Sequence, residues 1–516
     1  MKQKIFALFL ILCGLCLNLK AETQGDVVGR VLDDSGAPLA GATVQILHAK
    51  GGVTTDEDGY FRIPYSKDGA VRVKVSFVGY QTQTFVLKAD ERKGEQHVLR
   101  LQPDATALDQ VVVTATRTPK ALKDAPVVTR LITANDIKIA DATNIQDLLT
   151  EQMPGLQFGY AMNQETSLNM NGFGGNAVLF LVDGERLAGE TMDNVDYSRL
   201  NLDNVGRIEI VKGAASALYG ANAVAGVVNI ISRENSEPWT ANVNTRYNDF
   251  NKEWRHGGSF SFNAGKWNSQ TSIQRTTSDE VQLTSPFDTE SNILHIYGGE
   301  TFNVKERLTY KFSDKVKLIG RGGYFNRISK RSNYDDHYMD YSAGLKTVMN
   351  LSENDNLEIS YGFDQYDKTR FVNSERTHDH DYTNRQNTVR ALYSHIFGKN
   401  TLTAGADFLN DYLTTYQFAN NGSKTQNSYD AFAQFDYNPL QWLNIVASLR
   451  HDYFSASSQH ATTGRLALMT KWKGFSIRAN YAGGFRAPTL KEMYMNFDMA
   501  GMQMIYGNPD LKPEKS

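Results

Sequence analysis

The side chains best suited to gripping a metal or a flat apolar ligand lie near the end of this 516-residue chain. Met493, Met495, Met499, Met502 and Met504 fall within twelve residues, interleaved with Tyr494, Phe497 and Tyr506. Thioethers are soft, adaptable contacts that ligate metals weakly. The run therefore reads as a ligand contact through Tyr494 and the five methionines, with loop packing or lipid contact as the plainer alternative. A second candidate stretch runs from Tyr160-Ala161-Met162-Asn163-Gln164 through Asn169-Met170-Asn171-Gly172-Phe173. It is neutral and amphipathic, so Tyr160, Met162, Asn163, Met170 and Phe173 suit an amphipathic ligand, and it lacks the arginine cluster that a strongly anionic one requires. His378-Asp379-His380-Asp381 offers His378 and His380 to a metal, although alternating His and Asp on an exposed loop is more often simply solvated. Catalysis has no foothold: there is no GxSxG, no HExxH and no convincing Ser/His/Asp placement.

These groups need a scaffold, and the sequence changes texture three times along its length. Met1-Lys2-Gln3-Lys4, the apolar run Ile5 to Leu17 and the small Ala21 read as a secretory signal peptide over residues 1–21. Both cysteines, Cys13 and Cys16, lie inside it, so the mature chain is expected to carry no thiol. Residues 22–102 alternate in short runs separated by Asp-Gly and Asp-Ser-Gly turns, which predicts a β-sandwich. Residues 119–235 are mixed α/β, with helices beginning near Ala134 and Asn144 and strands at 178–182, 207–211 and 227–231. From residue 236 to 516 helix signals almost vanish, and thirteen alternating runs rich in Tyr and Phe follow. Their connections alternate between tight turns and long polar loops, one of them expected at 326–339, the pattern of a transmembrane antiparallel β-barrel. A mean hydropathy of -0.44 does not oppose this, because lipid-facing and lumen-facing residues average out. The net charge of -3 gives no basic footprint, so no nucleic-acid partner is expected. An odd strand count leaves an edge that lipid cannot satisfy, so the barrel is expected to be incomplete within this sequence.

Four stretches then resemble the TonB-dependent outer-membrane receptors, over about residues 109–516. Asp109-Gln110-Val111-Val112-Val113-Thr114-Ala115-Thr116 resembles a TonB box, within a linker at 103–118. Val182-Asp183-Gly184-Glu185-Arg186 resembles the turn of the plug domain. Arg207-Ile208-Glu209-Ile210-Val211-Lys212-Gly213, with Ser216 to Gly220 and Gly226 to Ile231, resembles the plug's C-terminal signature. Phe485-Arg486-Ala487-Pro488 and Asn508-Pro509-Asp510-Leu511 resemble paired barrel motifs. Residues 37–61 are similar to the carboxypeptidase-regulatory-like extension that many such receptors of the Bacteroidetes carry.

The resemblance implies a mainly β protein with an α/β plug at 119–235 and a barrel of 22 strands when complete. It implies import across the outer membrane, energised by TonB, with no enzymatic activity and no intrinsic cofactor. A Val-rich extended segment suits addition to a sheet edge on that periplasmic partner. Arg186, Glu209 and Lys212 are expected to pack within the plug or to pair with barrel charges. The wording is nearest to haem and vitamin B12 receptors, which points to haem, cobalamin or a similar ligand, with a siderophore as the alternative and a passive porin or adhesin as a different class. Against haem, no His lies between His97 and His256, or between Phe485 and Ser516. Asp335 and Asp336 are similar to a loop that binds calcium in B12 receptors. Outer-membrane lipids and a surface lipoprotein complete the expected partners.

Overall fold

Period-two alternation dominates the sequence, and the computed structural model is accordingly built on strands. It describes residues 25–101 with short gaps, then 111–160, 164–191, 194–235, 237–283, 294–378, 381–473, 475–499 and 501–516. The proposed signal peptide, Asp109, Gln110, Met162, Asn163 and His380 lie outside the described residues. The chain divides into two compact units, Met1–Gln110 and Val111–Ser516.

The first unit is a sandwich. Strands β1 (Gly25–Leu32), β4 (Tyr60–Tyr65) and β7 (His97–Arg100) form one sheet in the order β4-β1-β7. β2 (Thr43–Ile46), β3 (Gly52–Thr54), β5 (Val71–Ser76) and β6 (Gln83–Leu87) form the other, in the order β3-β2-β5-β6. Val31, Val44, Val73 and Val75 fill the core between them. β3 and β7 are additions to the five runs legible in the sequence, each too short to alternate visibly.

The second unit begins with a four-stranded core sheet of β8 (Thr129–Thr133), β9 (Val178–Val182), β10 (Val205–Lys212) and β11 (Gly226–Ser232), in the order β8-β10-β11-β9 and extended by Glu185–Arg186. Two helices cover it. α1 (Ala134–Ala140) starts at a capping box in which Thr133 and Asp136 satisfy each other's backbone N–H. α2 (Ile145–Gln152) starts at Asn144, whose side chain accepts from Asp147 N–H. Ile145, Leu148 and Leu149 pack onto Ile132, Ile208 and Val228.

Around this domain runs one antiparallel sheet of thirteen strands. They are β12 (Trp239–Asn248), β13 (Glu253–Ala264), β14 (Trp267–Ser278), β15 (Gly299–Lys311), β16 (Val316–Lys330), β17 (Asp335–Asn350) and β18 (Asp355–Val372), followed by β19 (Tyr382–Phe397), β20 (Asn400–Thr415), β21 (Ser423–Leu440), β22 (Leu443–Phe454), β23 (Gln459–Trp472) and β24 (Phe475–Ala482). Each pairs with its neighbour in sequence, and β12 and β24 are the ends of the path. Along β22, Val446, Ser448, Arg450 and Asp452 are buried against the plug side while Ala447, Leu449 and His451 face outward. Two aromatic belts mark the outward face. Tyr247, Trp254, Tyr341 and Tyr429 lie toward the long-loop end, and Trp267, Phe312, Tyr437 and Trp442 toward the tight turns. Tyr429 and Tyr437 are eight residues apart on β21, roughly 26 Å along the strand. At a strand tilt of about 35–45° that projects to roughly 20 Å of height, of the order of the apolar band of a membrane barrel, about 25 Å tall. The expected loop at 326–339 is mostly strand, since β16 continues to Lys330 and β17 resumes at Asp335. Above the lipid both faces of a strand meet polar surroundings, so the hydrophobic alternation that reveals strands fades there.

Charge holds the enclosed domain to the wall. Arg199, 3% exposed, donates through Nη2 to Asp340 (2.7 Å) on β17 and Asp364 (2.8 Å) on β18, and through Nη1 to Ala188 O. Burial alone would lower the Arg199 pKa, but the two carboxylates hold it above its ordinary value. Asp196 meets Arg327 Nε at 3.0 Å and accepts from Tyr366 OH at 2.8 Å. Gly189 passes so close to the wall that an added Cβ would sit 2.4 Å from Tyr366, at a φ of +82°. Replacing Arg199 with Ala strands two buried carboxylates, and breaking a buried pair this way typically costs about 3–5 kcal/mol. The R199A domain should therefore become sensitive to protease at a lower denaturant concentration than the parent; an unchanged midpoint would show that the cluster carries no stability.

Candidate functional site

The sequence predicts at 109–116 an extended segment suited to adding to a partner's sheet edge. Its described part is instead seated. Val111–Val112 pairs antiparallel with Lys120–Ala121, closing a tight hairpin. Val111 remains 49% exposed, but Val112, Thr114, Ala115 and Thr116 are buried. The seat is made of side chains that satisfy the segment's own backbone. Glu209 Oε2 accepts from Val113 N–H (2.9 Å) and Thr114 N–H (2.7 Å), while Glu209 Oε1 is held by Arg207 Nε at 2.8 Å. Tyr219 OH donates to Thr114 O, and Asn229 Nδ2 donates to Thr114 Oγ1, each at 3.0 Å. Gln434, on β21, donates to Thr116 O at 2.7 Å.

Beyond the seat, Arg117 occupies a left-handed backbone position (φ 57°). Its guanidinium donates to Leu218 O and lies 4.2 Å from the Tyr219 ring, and burial, with Arg390 nearby, lowers its pKa to about 10. Lys120 Nζ reaches Asp436 Oδ2 on β21 at 2.6 Å. Directly beside this hairpin, at the tight-turn end, is a cavity of about 1490 Å³ lined by Arg117, Lys120, Asp124 and strand ends of the wall.

Two of the plug charges take the packing alternative within the plug. Glu209 meets no barrel charge but turns inward to the segment, because its strand β10 lies under residues 113–114. Arg186 donates to the backbone carbonyls of Tyr219 and Ala221.

At the long-loop end the proposed ligand residues separate into two groups. Met170 and Met493 are each 1% exposed. Met170 belongs to the plug core with Leu156 and Leu168, and Met493 to an aromatic cluster with Phe325, Tyr338, Tyr366 and Phe418, so neither faces a ligand. Tyr160 (79% exposed) and Phe173 are open at the plug apex, and Met499, Met502 and Met504 are open on a hairpin at 496–506. Tyr494 packs on the aromatic cluster, and Met495 bridges to Phe418.

The paired motifs meet in space. Arg486 bridges Glu514 (2.7 Å) and Glu492 (2.9 Å), which sets its pKa above the usual value. Phe485 packs edge-on against Phe454, and Ala487 and Pro488 are buried before α3 (Leu490–Tyr494). Asn508 Oδ1 accepts from Asp510 N–H, Leu511 N–H reaches Asn508 O, and Pro509 between them is exposed.

The acidic pair does not form a calcium cradle. Asp336, 1% exposed, is spent on Arg370 (2.8 Å), Lys368 (3.4 Å) and Arg331 (3.7 Å), and Asp335 begins β17. His378 Nδ1 is bonded to Asp381 at 2.7 Å, with its ring stacked 4.2 Å from Tyr416. Among the described residues no three His, Cys, Asp or Glu gather as a metal site.

A cationic cluster escaped the sequence reading. Arg327, Arg331, Lys368 and Arg370 converge from the outer ends of β16, the following turn and β18, facing Glu165 near the plug apex and Asp336. The cations come from two separate stretches, 327–331 and 368–370, and strand register brings the stretches together: Asp336 lies opposite both Ser329 and Arg370.

Residues 121–227 match the TonB-dependent receptor plug domain, 240–516 the TonB-dependent receptor-like β-barrel, and 27–113 the CarboxypepD_reg-like domain. The vitamin B12 transporter BtuB of Vibrio vulnificus is 24% identical over 432 residues, covering 79% of this chain and 66% of its own length. The iron-regulated outer membrane virulence protein of Vibrio cholerae is 24% identical over 445 residues, covering 80% and 65%. The chain thus spans just under two thirds of these relatives. The siderophore receptor PirA of Acinetobacter baumannii superposes with a TM-score of 0.63 at 17% identity, covering 75% of this chain and 66% of that one, a likeness of fold. With a barrel match over more than half its length and a plug match before it, the chain belongs to the TonB-dependent receptors of the outer membrane, a non-enzymatic family.

Proposed function

We propose that this receptor imports a scarce metal-bearing chelate, and that residues 109–116 are the handle by which TonB energises it. The seat of the segment carries this reading. Strand addition to a partner needs free backbone N–H and C=O groups. Val113 N–H, Thr114 N–H, Thr114 O and Thr116 O are all occupied by side chains of the plug and wall. The segment is therefore silent until it leaves its seat. Each neutral hydrogen bond contributes only about 0.5–1.5 kcal/mol net, and those to a charged group about 1.5–3, so a modest change at the plug is enough to shift the balance.

For the cargo we favour an iron or cobalt tetrapyrrole, haem or cobalamin. Support comes from the open aromatic and thioether side chains at the mouth, which suit a flat macrocycle, and from the named role of the B12-transporting relatives. The cluster of Arg327, Arg331, Lys368 and Arg370 favours a second reading, an anionic siderophore, because such cations recognise carboxylate and catecholate oxygens. Growth of a deletion strain separates the cargoes: a specific defect on limiting haem or limiting cobalamin supports the first reading, and equal growth on both removes it.

Deleting residues 109–116 should abolish uptake and leave ligand binding intact; surviving uptake would sink the energised mechanism. Glu209→Gln removes the charge that holds two N–H groups and should make the Val113 and Thr114 amides exchange at least tenfold faster with solvent. Unchanged exchange would mean that Glu209 does not secure the segment.

A further inference from the structure

Two histidines that neither the seat nor the cargo groups involve meet on the outward face of the wall. His451 Nε2 and His460 Nδ1 are 3.2 Å apart, with ring centroids at 5.3 Å. Both side chains are exposed, whereas their neighbours Arg450 and Asp452 on β22 and Ala461 on β23 turn to the other face and are buried. We propose that His451 and His460 form a two-imidazole site for a borderline divalent cation of the Zn(II) class.

Strand register builds the pair. His451 lies opposite Thr462, and Tyr453 lies opposite His460. The two histidines are therefore diagonal neighbours on one face, about 7–8 Å apart at the backbone and within reach of each other's rings. Two further contacts orient those rings. Thr462 Oγ1 is 2.8 Å from His451 Nδ1, and the Tyr453 ring packs 4.8 Å from the His460 ring. With the hydroxyl accepting, the His451 proton is held on Nδ1 and the Nε2 lone pair is aimed at His460. A hydrogen bond at the far ring nitrogen is what orients metal-ligating histidines in general.

The nitrogen spacing suits a metal. Two Zn–N bonds of about 2.0–2.1 Å meeting at the tetrahedral angle place their nitrogens about 3.3–3.4 Å apart, so an ion enters with little movement of either ring. In the ion-free pair the His460 proton lies on Nδ1, between the two nitrogens. Binding transfers it to His460 Nε2, so both lone pairs reach the ion and neither ring changes charge. Imidazole suits Zn(II), Cu(II) and Ni(II), whereas calcium and magnesium take oxygen sets. Among the described residues no third His, Cys, Asp or Glu completes a metal-binding group, so the open positions are left to water and, at this height, to lipid headgroup oxygens. The height is set by Tyr453, the register partner of Tyr429 in the aromatic belt.

The pair faces away from the plug, so its test is independent of import and of the cargo. The full receptor, untagged and in detergent at about pH 7.5, where imidazole is neutral, is titrated with Zn(II) against a chromophoric chelator. The parent should bind one more Zn(II) per chain than H451Q/H460Q. Equal stoichiometry in parent and variant overturns the proposal. Should the double variant fail to fold, the parent alone decides: Zn(II) should protect His451 and His460 from diethyl pyrocarbonate, read by peptide mass spectrometry. Modification at the same rate with and without Zn(II) overturns the site instead.

Discussion

A carboxylate with no exposure to solvent organises the working end of this molecule. Glu209 is 0% exposed, and a buried ionised carboxylate is tolerable only when its oxygens are filled. Arg207 fills one, and the backbone N–H groups of Val113 and Thr114 fill the other. The consequence runs in both directions. The segment needs Glu209 to satisfy its backbone in a site that excludes water, and Glu209 needs the segment to fill its second oxygen.

The domain that carries Glu209 is held far more firmly than the segment it grips. Arg199, Asp196 and Glu185 each meet opposite charges on the wall strands, at Asp340 and Asp364, at Arg327, and at Arg321. These contacts cross from the plug to β16, β17 and β18 in a confined, low-dielectric interior. The segment, in contrast, is held by hydrogen bonds at one end of the plug beside a cavity of about 1490 Å³. On the proposed reading, a pull transmitted through Val111 meets the weaker set first. That cavity lies beside the hairpin of Val111–Val112 and Lys120–Ala121, whose ties to the wall are Lys120 with Asp436 and Thr116 O with Gln434.

Much of the architecture was legible because lipid imposes a strict rule. Where a strand has lipid on one face and the plug on the other, as along β22, apolar and polar residues must alternate, and all thirteen strands announced themselves that way. The rule lapses above the lipid, which is why residues 326–330 and 335–339 were mistaken for loop. The site was less legible, for a different reason. Glu209 stood out only as a charge in a plug strand, and nothing in the sequence tied it to residues 113 and 114, which lie 95 or more positions earlier. The cluster of Arg327, Arg331, Lys368 and Arg370 likewise exists only through register. Methionine spacing could not separate Met493, which is core, from Met502, which is open.

The central claim is that the segment must leave its seat for energised import to occur. The Thr114 and Asn229 side chains meet at 3.0 Å, so a cysteine pair at these positions can staple the segment to the plug. The decisive measurement is cargo uptake by T114C/N229C cells under oxidising conditions and after reduction. Uptake should be abolished in the oxidised state and restored by reductant, with ligand binding equal in both. Uptake at the parental rate through a fully oxidised, stapled receptor would contradict the account.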